Sequence, residues 1–301
     1  MQKIYSKLIL RRSFAFNALA GTVLAVTFWL ASPAKADPFL FNTGNPDGLI
    51  GTLSRPGAPG FPETETADDF ILNQPTKIDQ ATFVGLLPTG APLSSVLQIE
   101  IELYHVFPID STNPPSGNVP TRVNSPSDNQ FAAFDSVAGD ISFTTTLLNS
   151  SFTVANSVVN GINKIPNQFT GGEGPVTGEE VLFTVTFKTP PILPADHDFF
   201  RPEVALSGVD DFLWLSAPKP IVAGTPFSPD LQAWIRNTNL DPDWLRIGTD
   251  ITHQGPYNMT FSLSGETIPE PSSLLLLGVG LVFIGSLRRR TSRRFMASPK
   301  R

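Results

Sequence analysis

Apolar residues recur at every second position in several stretches of this chain. Val181, Phe183, Val185 and Phe187 alternate with Leu182, Thr184, Thr186 and Lys188, and Leu97, Ile99, Ile101 and Leu103 alternate with Gln98, Glu100, Glu102 and Tyr104. Ile141, Phe143, Thr145 and Leu147 keep the same step. Side chains two apart share one face of a strand, so one set points to a core and the other to water. Further strand-like runs occupy 67–73, 78–87, 151–159, 204–206, 212–215, 231–236, 244–249 and 259–263. Asn160-Gly161, between Val158-Val159 and Ile162, predicts a two-residue hairpin turn because both residues tolerate positive φ. With 29 prolines and 23 glycines punctuating the runs, a helical bundle is disfavoured. The 23 phenylalanines supply a sizeable core. These features predict an all-β, antiparallel, jelly-roll-like β-sandwich over residues 37–264. No cysteine is present, which excludes disulfides, thiolate metal sites and cysteine nucleophiles.

Charge divides the chain into three parts. Residues 1–36 carry Lys3, Lys7, Arg11, Arg12 and Lys35 with no acidic residue, and 288–301 hold seven basic residues, again unaccompanied. The stretch 37–271 holds nine basic residues and all 27 carboxylates, a net charge of −18. That balance opposes nucleic-acid binding, which needs a basic face. At the N-terminus a basic stretch precedes an apolar run from Phe14 to Ala31, and Ala34 and Ala36 place small residues where a signal peptidase reads them. Residues 1–36 are therefore expected to be a signal peptide cut between Ala36 and Asp37, the alternative being a retained anchor. Arg11-Arg12-Ser13-Phe14 resembles the start of a twin-arginine signal, although the long apolar run favours the general secretory route.

Near the other end, Ser272 to Leu287 is apolar almost throughout and is followed at once by Arg288, Arg289 and Arg290. Sixteen residues give about 24 Å of helix, slightly short of a hydrocarbon core of about 30 Å, a gap that snorkelling arginines and local thinning can close. The alternative, a core helix, would carry a polar face. A transmembrane helix over 272–287 is expected, with the basic tail 288–301 on the cytoplasmic side of the inner membrane and 37–271 outside. Gly278, Gly280 and Gly285 lie inside the apolar run with no strand before them, so they do not form a phosphate-binding loop.

Directly before the apolar run stand Pro269, Glu270 and Pro271. Two prolines stop a helix and remove backbone donors, which leaves this stretch extended for another protein's groove. From Ser264 to Ser272 the chain reaches at most about 28 Å. The order Pro-Glu-Pro, short apolar helix, arginine cluster over 265–301 resembles the PEP-CTERM sorting signal of exported bacterial proteins. Segments of this kind are also grouped under an ice-binding C-terminal heading. The resemblance implies that an exosortase recognises Pro269, Glu270 and Pro271, that the helix stops transfer, and that Arg288 to Arg290 hold the cytosolic side.

No catalytic motif stands out. His105, His197 and His253 are far apart in sequence, and neither a zincin motif, a nucleophile elbow nor a P-loop occurs. His105 follows the inward phase of its strand and is expected at the rim of the core. Asp196-His197-Asp198 reads either as a metal or acid–base cluster or as a solvated loop. Asp68-Asp69, Asp210-Asp211 and Asp241-Pro242-Asp243 add carboxylates that could ligate calcium outside the cell or simply keep the surface soluble. No cofactor is expected; Asp196, Asp198, Asp241 and Asp243 are the candidate ligands should a metal bind, with Ca2+ the ion they would take. Trp214, Trp234, Trp244 and Tyr257 either stack on a sugar polymer or belong to the core. Thr144-Thr145-Thr146 does not recur, so a threonine-ladder ice-binding face is not supported. Three long connections, Pro108–Gln130, Pro166–Gly178 and Ser216–Asp230, are either binding loops or rigid spacers. The leading expectation is a non-enzymatic envelope or matrix protein. A polysaccharide-binding adhesin and a two-carboxylate hydrolase are the alternatives.

Overall fold

The computed structural model describes residues 36–114, 116–163, 170–208, 211–219 and 230–269. One compact unit runs from Asp37 to Ile268, four residues beyond the expected boundary at 264. All of the expected signal peptide but Ala36, the apolar run 272–287 and the basic tail lie outside the described residues. Among those described, no helix is long and apolar enough to cross a membrane.

In chain order the strands are β1 (Pro38–Asn42), β2 (Ile50–Leu53), β3 (Thr64–Ile71), β4 (Thr76–Pro88), β5 (Val96–Val106), β6 (Pro126–Asp135), β7 (Ile141–Val154), β8 (Asn156–Val158), β9 (Val176–Phe187), β10 (Ile192–Leu193), β11 (His197–Leu206), β12 (Leu213–Ala217), β13 (Trp234–Asn237), β14 (Leu245–Arg246), β15 (Asn258–Met259) and β16 (Phe261–Thr267). They form two sheets of ten and six strands. β4 is the axis of the larger sheet. It pairs with β9 along one edge and with β16 and then β12 along the other, while β7 flanks β9 and β1 flanks β16. The smaller sheet runs β14-β13-β3-β11-β5-β6. Pairing is antiparallel except between β2 and β8, which run parallel and correct the expectation of a wholly antiparallel fold.

Aromatic contacts join the sheets across one core. Phe200 of β11 stacks on Phe261 of β16 at 5.0 Å, Phe41 of β1 meets Phe70 of β3 edge-on at 6.3 Å, and Phe134 of β6 meets Phe187 of β9 at 4.9 Å. Such pairs add to the free energy of removing the rings from water. Trp214 lies in the same core, its indole N–H donating to the Thr260 carbonyl at 2.8 Å.

The period-two reading holds for Val181, Phe183, Val185 and Phe187 and for Ile99, Ile101 and Leu103, all buried. Leu97 departs from it at 60% exposure. The β11–β5 register steps from Ala205↔Gln98 to Leu206↔Val96, so Leu97 is bulged outward and Val96 takes its place. Leu147 is likewise exposed, next to a register shift between β7 and β9. The expected Asn160-Gly161 hairpin does not form, since neither residue has positive φ. The Glu173 carboxylate instead accepts the N–H groups of Val159 and Asn160, both at 2.9 Å, and β8 pairs back onto β2. The loop expected over Pro108–Gln130 ends early, because β6 begins at Pro126.

At Gly265 a bulge seats β16 against β4. A Cβ there would stand 1.9 Å from the Lys77 carbonyl oxygen, a backbone atom that cannot step aside. Gly265→Ala is expected to cost about 2 kcal/mol or more, read as a lower urea midpoint at unchanged slope.

Candidate functional site

The ends of the domain meet. The Asp37 N–H donates to Thr267 Oγ1 at 3.2 Å, and the Thr267 N–H returns to the Asp37 carbonyl at 2.9 Å. One residue on, the Ile268 N–H donates to the Pro75 carbonyl at 2.7 Å. The predicted cleavage point after Ala36 and the tripeptide starting at Pro269 therefore flank the same pair of strands. Glu270, Pro271, Arg288, Arg289, Arg290 and Ala34 lie outside the described residues.

Sequence alternation sends Glu100, Glu102 and Tyr104 to water, yet this outer face of the smaller sheet is largely covered. Tyr104 is buried against Phe199, Trp234, Trp244 and Leu231. Cross-strand register sets Arg201 opposite Glu102 and Arg236 opposite Glu65. Arg201 Nη2 bonds Glu65 and Glu102, each at 2.7 Å, while its Nη1 stands 2.6 Å from Glu203. Arg236 bonds Glu65 through two nitrogens and pairs with Asp241 at 2.9 Å. Burial alone would raise the Glu65 carboxyl, but the guanidiniums of Arg201 and Arg236 outweigh it and lower it to about 2. Glu203, facing Glu100 across the strands, is pushed well up by burial. Arg122 holds the covering segment through Asp243 at 3.0 Å and Asp128 at 2.9 Å, its guanidinium over the Phe107 ring. Asp241 and Asp243, two of the four metal candidates, thus each pair with an arginine.

Asp196 and Asp198 meet a different partner. Strand pairing sets Asp198 opposite His105, and His105 Nδ1 lies 2.8 Å from Asp198 Oδ1. Ligand atoms of His105, Asp196 and Asp198 all fall within 4.8 Å of one another. Asp198 is fully buried, and its Oδ2 has no hydrogen-bond partner. Burial is the main cause that pushes its carboxyl up to about 6, against the opposing pull of His105. Asp196, on the turn into β11, accepts the His197 N–H at 2.8 Å, and His197 Nε2 meets Asp69 at 2.6 Å. The trio can hold a cation or exchange a proton. His105 sits at the rim as expected, but only the register of β5 with β11 brings it to the two aspartates.

Trp214, Trp234 and Trp244 are all buried, as is Tyr257, so these four residues form core rather than an exposed stacking platform. A cleft of about 510 Å³ opens beside Trp234, lined by Lys219, Asp230, Gln232, Arg246, Thr121 and Asn124 among others.

The family model of the PEP-CTERM protein-sorting motif matches residues 267–290, from the last residue of β16 through Arg290. Residues 267–290 carry a PEP-CTERM protein-sorting motif. No curated protein and no solved structure matches the chain. The PEP-CTERM motif marks an exported protein processed by exosortase and anchored at a membrane or cell surface.

Glu65 links the charge network to pH. Its carboxyl is lower in the folded than in the unfolded chain, so its contribution is present above about pH 4.5 and disappears as pH falls toward 2. Glu65→Gln is expected to destabilise the fold by about 3 kcal/mol at pH 7. The gap from the parent chain should shrink steadily below pH 4.5 in parallel urea titrations.

Proposed function

We propose that this chain is a non-enzymatic component of the cell envelope or extracellular matrix, delivered through its PEP-CTERM signal as a jelly-roll-like β-sandwich. A signal peptidase removes residues 1–36. The apolar run 272–287 holds the chain in the inner membrane, Arg288 to Arg290 remain in the cytoplasm, and the acidic body stands outside, where it can meet extracellular polysaccharide. The observation that carries this reading is the motif match at 267–290, which begins where the last strand of the domain ends. The pairing of Asp37 with Thr267 supports it, because a domain whose two ends emerge together can be approached by two membrane-bound processing enzymes from one side.

Replacing Pro269, Glu270 and Pro271 with alanines is the direct test. Surface delivery should fall at least tenfold, with the unprocessed chain accumulating in the inner-membrane fraction. Equal delivery with the same mature C-terminus by mass spectrometry would overturn the reading.

A further inference from the structure

We propose that His105, Asp196 and Asp198 form a binding site for one zinc ion at the rim of the smaller sheet. Three chain segments converge there: the end of β5, the turn entering β11, and the segment after β5 that carries Asp110. One imidazole nitrogen and two carboxylate oxygens make a mixed donor set. Calcium and magnesium favour oxygen alone, whereas zinc accepts nitrogen and oxygen together. Ligand atoms within 4.8 Å of one another need only a modest closing movement to reach the roughly 3.4 Å edge of a tetrahedron with bonds near 2.1 Å. Asp196 is exposed on a turn and can supply that movement.

Two features favour a cation at this trio. Asp198 has a side chain with no solvent exposure, yet its Oδ2 lacks any hydrogen-bond partner. A buried oxygen without a donor is costly to leave so, and a cation beside it removes the cost. His105 is already oriented. Its ring stacks on Phe131 at 4.1 Å with an interplanar angle of 13°, and Nδ1 faces Asp198. On the far side of the ring, Asp110 stands 3.7 Å from Nε2, where a carboxylate steadies a metal-bound imidazole. Zinc would take the place of the direct contact between His105 Nδ1 and Asp198 Oδ1. Three protein ligands leave a fourth position for water or for an oxygen of an outside partner.

Calorimetric titration of the full chain in detergent with Zn2+, Mn2+, Mg2+ and Ca2+ in turn tests the site. One Zn2+ per chain is expected to bind, more tightly than Mg2+ or Ca2+ by at least tenfold, and to raise the melting temperature. Asp196→Asn alters an exposed side chain, so it should keep the metal-free melting temperature while weakening Zn2+ at least tenfold. Asp198→Asn removes the buried charge and should abolish binding without lowering the metal-free melting temperature. The proposal is overturned if no Zn2+ binds, if Ca2+ or Mg2+ binds as tightly as Zn2+, or if both variants bind Zn2+ like the parent chain.

Discussion

β1 docks on β16 through five residue pairs, from Pro38–Glu266 to Asn42–Ser262, and joins segments more than two hundred residues apart in sequence. Closing so long a loop costs little more than closing a short one, since the entropy grows only with the logarithm of length. The consequence is structural. β16 has β4 on one side and β1 on the other, so the strand that leads to the sorting motif is held along both edges. β1 itself becomes the sheet edge, short and opened by a proline, features that discourage further strand addition. In an exported chain this order has a kinetic meaning as well. β4 is synthesised early, but its β16 edge cannot be filled until residue 267 has been made, and the next residues to follow are those of the motif. The larger sheet is completed as the sorting signal becomes accessible.

The smaller sheet meets a different constraint. Its inner face is apolar, and its outer face is a charged surface that has been covered. Arg201 and Arg236 lie among Glu65, Glu102 and Glu203 because strand register places them there, and Tyr104 fills the space between. Ion pairs of this kind return little net stability over an apolar equivalent, but loss of one partner strands the others. Their effect is selective: a one-residue slip of β11 against β5 would set Arg201 opposite Leu103 or Ile101 and Glu203 opposite Ile101 or Ile99, turning the charged row onto the apolar one. The same register that matches Arg201 to Glu102 also matches Asp198 to His105, three residues away on β11. Charge pairing and rim geometry are thus fixed together.

Segments whose apolar and polar residues alternate announce themselves even where the polar face is covered, which is why β5 and β9 are legible as strands. β11 is legible only at Val204 to Leu206, because Phe199, Arg201 and Glu203 are covered on the outer face while Phe200 and Val204 fill the inner one, and alternation vanishes when both faces are buried. β6 hides at the end of a proline-rich stretch, and its burial is too shallow to mark a period. Asn160-Gly161 carries the local chemistry of a hairpin, but the Glu173 carboxylate takes the donors that the hairpin would use. Of the rim trio, Asp196 and Asp198 are visible as a cluster, while His105 lies more than ninety positions away and joins them only through pairing. Asp241 and Asp243 present the same sequence signal, but the nearby Arg236 pairs with one and the distant Arg122 with the other.

The last hydrogen bond of the described domain, from Ile268 to Pro75, falls one residue before Pro269. Every strand among the described residues ends by Thr267. Removal of the chain at or beyond the tripeptide would take no ladder bond from either sheet and leave the Asp37–Thr267 closure intact. A processing enzyme acting there works on residues that directly follow a strand paired along both edges. Thr267 and Ile268 belong both to the matched motif and to the closure of the domain, whereas the tripeptide follows the last of these bonds, so a cut at or beyond it leaves the docking of β1 on β16 in place.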